Sequence, residues 1–254
     1  MIGIFDSGIG GLSVFREIRK VLPEQSYIYY SDSAHCPYGD KSQEYIIDRA
    51  REITRFLLSK GAEIIVVACN TATAAAIATL RQEFTVKFIG MEPAIKPAAA
   101  NTHTGVVGVL ATAGTLKADK YHNTRERWGD NVQIVEHVGN GFVELVEKGM
   151  TEGREAEETV EACIEPLLDA GADTIVLGCT HYPFLSQTIS KVASRLVPER
   201  EVTIIDPAPA VARHLVEVMA EEGLETKSPQ GYTLEMHTSG DEDMMKQIVA
   251  KILR

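Results

Sequence analysis

GAEIIVVACNT, residues 61–71, returns 110 residues later as GADTIVLGCT, residues 171–180. Each copy reads as a glycine turn, an apolar strand and a cysteine followed by polar residues. A second pair, IGIFDSG at 2–8 and VGVLATA at 107–113, repeats at an offset of 105. Two such pairs in the same order favour a duplicated unit, although any two apolar strands followed by small residues look alike.

The rest of the chain alternates short β-branched runs with helical stretches such as Leu12–Val21 and Glu44–Leu58. Apolar strands separated by helices are typical of a parallel sheet that is covered on both faces. We therefore predict an α/β fold of two similar lobes, each a mostly parallel sheet flanked by helices, with the active site in the cleft between them. The predicted strands are Ile2–Phe5, Tyr27–Tyr30, Ile64–Ala68, Val86–Ile89, Val106–Leu110, Val132–Glu136, Thr174–Leu177, Val202–Ile205 and Tyr232–His237.

Two stretches of small residues and prolines, at 97–104 and 206–209, are typical of domain boundaries. They place residues 1–98 and 208–254 in a first lobe that carries Asp6 and Cys69. Residues 99–207 form a second lobe that carries Cys179 and His181. The C-terminal strand and the helix expected at 241–253 are too small to stand alone, so we expect them to pack on the first lobe.

The composition excludes several classes of function. The chain has 254 residues, 44% of them hydrophobic, and a net charge of −11, which argues against a basic surface for nucleic acid or anionic membranes. Four cysteines without Cys-x-x-Cys spacing predict neither a disulfide framework nor a zinc ribbon. The first residues read as a strand, and the longest apolar run, residues 64–69, is too short for a membrane span. We therefore expect a cytoplasmic protein.

Cys69 and Cys179 are the strongest candidates for chemistry. A thiol between a strand and a helix meets free backbone N–H groups and the positive helix end, which favour thiolate. One buried cysteine is more often packing than catalysis, but two at equivalent repeat positions favour a role. Two thiols on opposite sides of a ligand suit a racemisation without cofactor, in which one removes a proton and the other returns one on the opposite face. Cys163 falls in a helical run and is expected to pack.

Other polar residues cluster near the same strand ends. Asp6 precedes a glycine-rich turn that could approach a ligand closely, although the spacing fails as a dinucleotide fingerprint. Residues 31–39, SDSAHCPYG, form a polar loop in which Tyr38 and the Gly39 N–H could bind a carboxylate, or which could be a solvated turn. His181 could serve as proton partner to Cys179. Glu147 lies on an expected helix, where a solvent-facing role is the default.

These motifs together resemble the glutamate racemases of the aspartate/glutamate racemase superfamily. The resemblance runs from residue 5 to residue 183 in the family's order. It rests on FDSGIGG at 5–11, SDSA at 31–34, PYG at 37–39, ACNTA at 68–72, EP at 92–93, AT at 111–112 with Thr115, and GCTHYP at 178–183.

The resemblance implies interconversion of L- and D-glutamate without pyridoxal phosphate, metal or nucleotide, supplying D-glutamate for peptidoglycan. Glutamate would be the partner molecule, and a homodimer is the family-based expectation. Cys69 and Cys179 would be the two acid/bases, assisted by Asp6 and His181, and Glu147 matches a family carboxylate implicated in catalysis. The substrate contacts carried over are Asp6, Ser7, Asn70, Thr71, Tyr38, Gly39, Thr180 and His181, with Asp32, Ser33, Pro37, Thr112 and Thr115 as further contacts.

Two departures and two alternatives accompany this interpretation. The loop reads His35-Cys36 where many members have Arg and a small residue, and residues 139–144 read GNGFVE where many have Cys-Pro-x-Phe-Val-Pro. One alternative is a relative in the same superfamily: an aspartate or hydantoin racemase, or a decarboxylase that uses one cysteine. The other is a non-enzymatic α/β protein that binds a small anion, in which both cysteines are incidental.

Overall fold

The computed structural model describes residues 1–128 and 131–252, so the last residue of the helix expected at 241–253 lies outside it. Up to residue 91 the elements are β1 Ile2–Asp6, α1 Leu12–Val21, β2 Ser26–Ser31, α2 Gln43–Ser59, β3 Ile64–Val67, α3 Asn70–Glu83 and β4 Lys87–Ile89. Next come α4 Ile95–Asn101, β5 Val106–Ala111, α5 Ala113–Lys117, α6 Asp119–Trp128, β6 Gln133–Val138, α7 Phe142–Glu147, α8 Arg154–Asp169, β7 Thr174–Gly178, α9 Ser186–Leu196 and β8 Thr203–Ile205. The chain ends with α10 Ala208–Glu221, β9 Thr233–Thr238 and α11 Glu242–Ile252.

The chain divides into two compact units. Unit 1 comprises Met1–Met91 and Ala208–Arg254, and unit 2 comprises Glu92–Pro207. These units meet at 91/92 and 207/208, compared with the 98/99 and 207/208 expected from the sequence. The reason is α4, which packs against α6 and β7 of unit 2 and so belongs to that unit's core.

Each unit contains a parallel sheet, as the α/β prediction requires. Among the described residues the strand order is β4-β3-β1-β2-β9 in unit 1 and β6-β5-β7-β8 in unit 2. The C-terminal strand β9 pairs with β2, which confirms that the tail packs on the first half. No helix in the described part of the chain combines the length and apolar character needed to cross a bilayer.

The repeat seen in the sequence is also a repeat in topology. Read from the other edge, unit 2 has the order β8-β7-β5-β6, which is β4-β3-β1-β2 of unit 1 shifted along the chain. The register matches as well: Ile2 pairs with Ile64 in unit 1, and Val107 pairs with Thr174 in unit 2, the same offsets of 105 and 110. The duplication hypothesis therefore accounts for the four strands of unit 2 and for four of the five strands described in unit 1, all but β9.

The glycines that open the repeated motifs have a shared conformational reason. Gly61 and Gly171 follow α2 and α8 with φ of +90° and +97°, a left-handed conformation that glycine adopts without steric cost. The next residue in each case, Ala62 or Ala172, donates its N–H back to a leucine carbonyl five residues earlier, at 3.1 Å in both units. This arrangement is a common way of ending a helix, and here it directs the chain from α2 into β3 and from α8 into β7.

Buried apolar side chains hold the helices to the sheets. Ile46, Ala50, Ile53 and Leu57 form one stripe of α2 and pack in the core of unit 1 with side chains from β1 and β3. Ser42 caps the start of this helix by accepting the Tyr45 N–H at 3.2 Å. This packing leaves the carboxyl ends of the strands, where the candidate site residues lie, free for polar side chains.

Candidate active site

The candidate residues lie at the switch points of the two sheets. From β1 the chain passes to β2 on one side and then to β3 on the other, so the order reverses between β1 and β3. Ligands of open parallel sheets bind beyond the carboxyl ends of the strands at this reversal. Asp6 ends β1 and Cys69 follows β3; Thr112 follows β5 and Cys179 follows β7, the corresponding pair of strands in unit 2.

Cys69 occupies the position immediately before the first residue of α3. Its sulfur accepts the N–H of Ala72 at 3.4 Å and lies 3.7 Å from the Ser7 hydroxyl oxygen. The residue is 4% exposed. A backbone donor and a helix N-terminus both stabilise negative charge on sulfur, so the local environment expected from the sequence is present.

Asp6 is a fully buried carboxylate that the backbone holds in place. Its Oδ2 accepts the N–H groups of Gly8 at 3.3 Å and of Gly11 at 2.9 Å. A Cβ at Gly11 would lie 2.7 Å from both the Asp6 Cβ and the Tyr29 hydroxyl, so only glycine allows this approach. The glycine-rich turn therefore serves to orient a carboxylate.

Asn70, the first residue of α3, is 2% exposed. Within the described structure, neither its Oδ1 nor its Nδ2 has a hydrogen-bond partner. Buried polar atoms without partners are rare and costly, and at a sheet switch point they indicate a place for a ligand. Thr71, the next residue, is also buried.

The side chains of Asp32 and Tyr38, both expected to contact a ligand, hydrogen-bond to each other. The Tyr38 hydroxyl donates to Asp32 Oδ2 at 2.6 Å, so its proton is committed to Asp32 and not to an incoming carboxylate. Burial raises the pKa of Tyr38 well above its ordinary range, and the neighbouring Asp32 charge raises it further. Burial alone would raise the pKa of Asp32, but hydrogen bonds from Arg49, Tyr38 and His35 outweigh it and lower that pKa.

The remaining loop residues lie on two 3-10 turns, Ser33–His35 and Tyr38–Asp40. Pro37 joins them through a cis peptide bond with Cys36. The Ser33 and Ser31 hydroxyl oxygens are 2.6 Å apart. Gly39 lies in the second turn, directly after the buried Tyr38 ring.

In unit 2, Cys179 is the end of a chain of three polar side chains. Its sulfur lies 3.8 Å from His181 Nδ1, and His181 Nε2 lies 2.6 Å from Glu147 Oε1. Cys179 and His181 are 6% and 1% exposed. The structure thus brings Glu147, which the sequence placed on a helix with a solvent-facing default, onto the candidate histidine.

The segment after Cys179 differs from the expected helix start. A 3-10 turn, Tyr182–Leu185, comes first, and α9 begins only at Ser186. Pro183 lies in the first turn and has no N–H to offer. The partner of the Cys179 sulfur is therefore an imidazole, whereas Cys69 has a helix N-terminus.

Tyr182 explains the unusual glycine at 139. Its buried ring packs edge-on against Phe142 at 4.9 Å, and its hydroxyl donates to the Gly139 carbonyl at 3.4 Å. A Cβ at 139 would lie 2.5 Å from that hydroxyl. Burial raises the pKa of Tyr182, so it stays a neutral donor that ties the β6–α7 connection, and with it Glu147, to the His181 segment.

The other candidates of unit 2 are buried near the same strand ends. Thr112 caps α5 by accepting the Thr115 N–H at 3.2 Å, and the two hydroxyl oxygens are 3.0 Å apart. Thr180 is 1% exposed. Thr112 and Thr115 are thus bonded to each other after β5, and Thr180 lies buried directly after Cys179.

One residue that hydrogen-bonds to Asp32 in unit 1 was not identified from the sequence. Arg49 on α2 binds the Asp32 carboxylate with two nitrogens, Nε at 3.0 Å and Nη2 at 2.8 Å. A signal was present: Arg49 falls beside Ala50 in the apolar stripe from Ile46 to Ile53, where a cation needs a buried partner.

Comparisons with known proteins find similarity to racemases over most of the chain. The Asp/Glu/Hydantoin racemase family matches residues 3–215. A glutamate racemase of Ectopseudomonas mendocina is 46% identical over 99% of this chain and 94% of its own. The solved glutamate racemase isoform of Bacillus anthracis superposes with a TM-score of 0.88 at 31% identity, covering 100% of this chain and 93% of that one. The Escherichia coli glutamate racemase, solved with L-glutamate and the activator UDP-MurNAc-Ala, gives 0.85 at 32% identity over 100% and 94%.

Proposed function

The chain belongs to the Asp/Glu/hydantoin racemase family, and we propose that it interconverts L- and D-glutamate by proton transfer between the substrate and two cysteines, Cys69 and Cys179. The observation that carries the proposal is the equivalence of the two thiols. Each follows the corresponding strand of a duplicated sheet, at that sheet's switch point.

The proposed reaction balances with no other reactant. One cysteine, as thiolate, takes the proton from the substrate Cα and becomes a thiol, and the electron pair delocalises into the substrate carboxylate. The other cysteine, as thiol, donates its proton to the opposite face of Cα and becomes a thiolate. The product is the mirror-image amino acid, and the two sulfurs have exchanged protonation states. In the family's assignment, Cys69 takes the proton from D-glutamate and Cys179 from L-glutamate.

The neighbours of the sulfurs suit these roles. The Ala72 N–H and the α3 N-terminus stabilise a thiolate at Cys69. His181, hydrogen-bonded to Glu147, can exchange a proton with Cys179 and return to its starting state. Asp6, oriented by two backbone N–H groups, is the corresponding carboxylate of unit 1.

Glutamate is proposed as the substrate because the relatives that match nearly the whole chain are glutamate racemases. The unpartnered amide of Asn70 offers both a donor and an acceptor, which fits a ligand with ammonium and carboxylate groups. Aspartate is the substrate of the runner-up within the family. The anion-binding protein without activity is disfavoured by membership in an enzyme family over residues 3–215.

The test replaces each thiol by a hydroxyl. Cys69→Ser and Cys179→Ser should each lower kcat/KM by about 10²- to 10⁴-fold in both directions, since positioned acid/base groups contribute that much. Cys163→Ser is the matched control, because Cys163 is a buried cysteine on α8 whose sulfur lies 3.7 Å from a backbone carbonyl. Circular dichroism follows the loss of either enantiomer, and D- and L-aspartate are run in parallel.

Deuterium incorporation separates two bases from one. In D2O at low conversion, label should enter the product enantiomer while recovered substrate stays unlabelled. Label in both enantiomers at the same rate indicates a single exchanging base. Faster turnover of aspartate than glutamate would replace the substrate assignment.

Three wider statements belong to the same proposal. We propose that the chain works in the cytoplasm, supplies D-glutamate for peptidoglycan and forms a homodimer, as the family resemblance implies. Complementation of a bacterial D-glutamate auxotroph tests the supply of D-glutamate. Light scattering coupled to gel filtration tests the dimer.

A further inference from the structure

The Asp32 carboxylate is fully buried, and the protein itself occupies both of its oxygens. Oδ1 receives Arg49 Nη2 at 2.8 Å and His35 Nδ1 at 2.9 Å. Oδ2 receives Arg49 Nε at 3.0 Å and the Tyr38 hydroxyl at 2.6 Å. A carboxylate has about four acceptor positions, so this one has little capacity left for a ligand. Asp32 is therefore better understood as the centre of a network than as a substrate contact.

Arg49 is the member of the network that supplies charge and geometry. It belongs to α2, a long helix with a packed apolar stripe, and its side chain is only 14% exposed. It also pairs with Glu52 on the same helix. Two parallel N–H···O bonds from one planar group fix both the position and the rotation of the carboxylate.

The substrate loop, residues 32–40, is attached to this centre from both ends. Tyr38 bonds to Asp32 at one end, and the Tyr38 ring packs in the same core cluster as Cys69. At the other end, the Ala34 N–H donates to the Ser239 hydroxyl at 3.1 Å, and the Ser239 N–H donates to the Ser31 carbonyl at 3.0 Å. The helix α2 and the segment after β9 thus hold the loop from two sides.

We infer that Arg49 is a positioning residue: through Asp32 it fixes Tyr38, and with it the Tyr38–Gly39 turn, in the shape that binds the substrate. The inference rests on the proposed function and on the family resemblance, which implies that the Tyr38–Gly39 turn contacts glutamate; with the Tyr38 hydroxyl bonded to Asp32, the Gly39 N–H is the donor that the turn would offer. Arg49 touches neither thiol in this role, so its loss should act on substrate binding before it acts on proton transfer.

The key variant is Arg49→Met, which keeps the length of the side chain and removes both donors. We expect kcat/KM for glutamate to fall by up to about 10²-fold in both directions, with most of the change in KM, because small displacements of positioning groups cost this much. Arg49→Lys should recover part of the loss, since a point charge makes one bond where the guanidinium makes two. Arg51→Met is the matched control: Arg51 is two residues away on the same helix and pairs with Glu83 and Asp48 at the surface.

A double variant shows whether Arg49 acts through Asp32. Asp32→Asn needs no cation, so Arg49→Met should add little to the loss already caused by Asp32→Asn. If the two losses multiply, Arg49 acts independently of Asp32 and the inference is wrong. It is equally wrong if folded Arg49→Met has the KM of Arg51→Met. Should Arg49→Met fail to fold, Arg49→Lys carries the test, and a KM equal to wild type overturns the inference. Racemisation by wild type and Arg51→Met reports separately on the proposed function.

Discussion

The hydrogen bond between Glu147 and His181 gives the sharpest prediction about unit 2. A bond to a charged group contributes about 1.5–3 kcal/mol, and the 2.6 Å separation with His181 1% exposed places this one among the strong cases. Glu147→Ala removes it, which corresponds to about a 10- to 150-fold fall in kcat/KM at 1.4 kcal/mol per decade. Glu147→Gln keeps an acceptor without charge, about half as strong, so we expect about a 3- to 12-fold fall.

The assay has an internal check. In achiral solvent the two enantiomers are equal in free energy, so kcat/KM must fall by the same factor from L- and from D-glutamate. The individual kcat values and the isotope effects with 2-deuterated substrate can differ between the two directions. In Glu147→Ala the isotope effect should change more with L-glutamate, from which Cys179 is proposed to take the proton. Glu144→Gln is the control, since Glu144 is exposed on the same helix.

Three results would refute this reasoning about Glu147. The first is a fall of less than twofold for Glu147→Ala. The second is an equal fall for Glu144→Gln. The third is a larger fall for Glu147→Gln than for Glu147→Ala.

Three further predictions follow from buried polar groups. Asp173 accepts bonds from the Thr102 hydroxyl and two backbone N–H groups; burial alone would raise its pKa, but these bonds lower it from 3.8 to about 2. Asp173→Asn should therefore lower the unfolding free energy by about 2 kcal/mol at pH 7. Because the folded pKa is depressed, this difference persists above pH 4 and disappears as pH falls from about 4 to about 2; urea titrations followed by Trp128 fluorescence measure it, and a constant difference would contradict it. Asn70→Ala should raise the unfolding free energy of the unliganded protein by about 1 kcal/mol and weaken D-glutamate binding by about tenfold, because it removes two unpartnered buried atoms; thermal unfolding with and without D-glutamate decides. Gly139→Ala should displace Tyr182 and lower kcat, because a Cβ at 139 would lie 2.5 Å from the Tyr182 hydroxyl; a variant with the kcat of wild type would contradict this.

Most of the fold could be predicted from the sequence because the decisive signals are local. Apolar runs of four to six residues mark the strands, and each predicted strand overlaps an observed one within a few residues. The Gly-Ala-acid motif at 61–63 and 171–173 marks two helix ends that have the same left-handed glycine. The first compact unit ends at 91, before the expected 98, because α4 is short and packs against β7 and α6, which no local pattern encodes.

The site was predicted unevenly for the same physical reason. Asp6 ends a strand and Cys69 follows one in unit 1, and Cys179 follows a strand in unit 2; parallel topology brings such positions to the same edge of their own sheet. The partners of Asp32 could not be anticipated, because Arg49 reaches it from a helix 17 residues away in sequence. The direction of the Tyr38 hydroxyl depends on that same contact. Side-chain contacts between elements depend on helix rotation, which composition and periodicity fix only approximately.

Duplication of the fold did not duplicate the chemistry beside each thiol. The position in unit 2 that corresponds to Asp6 is Ala111. The end of β5 therefore carries no carboxylate at this position. In unit 2 the nearby carboxylate is instead Glu147 of α7. It hydrogen-bonds to His181, which in turn lies 3.8 Å from the Cys179 sulfur.

These two routes to a carboxylate have different consequences for proton transfer. The Asp6 carboxylate is fixed by backbone N–H groups, whereas in the proposed mechanism Glu147 would act through an imidazole, a group that can itself gain or lose a proton. We therefore expect Asp6→Asn to change mainly the isotope effect for D-glutamate as substrate, and Glu147→Gln mainly the isotope effect for L-glutamate. Each variant should still lower kcat/KM by the same factor for the two enantiomers. Isotope effects that move together in both variants would mean that one thiol limits both directions.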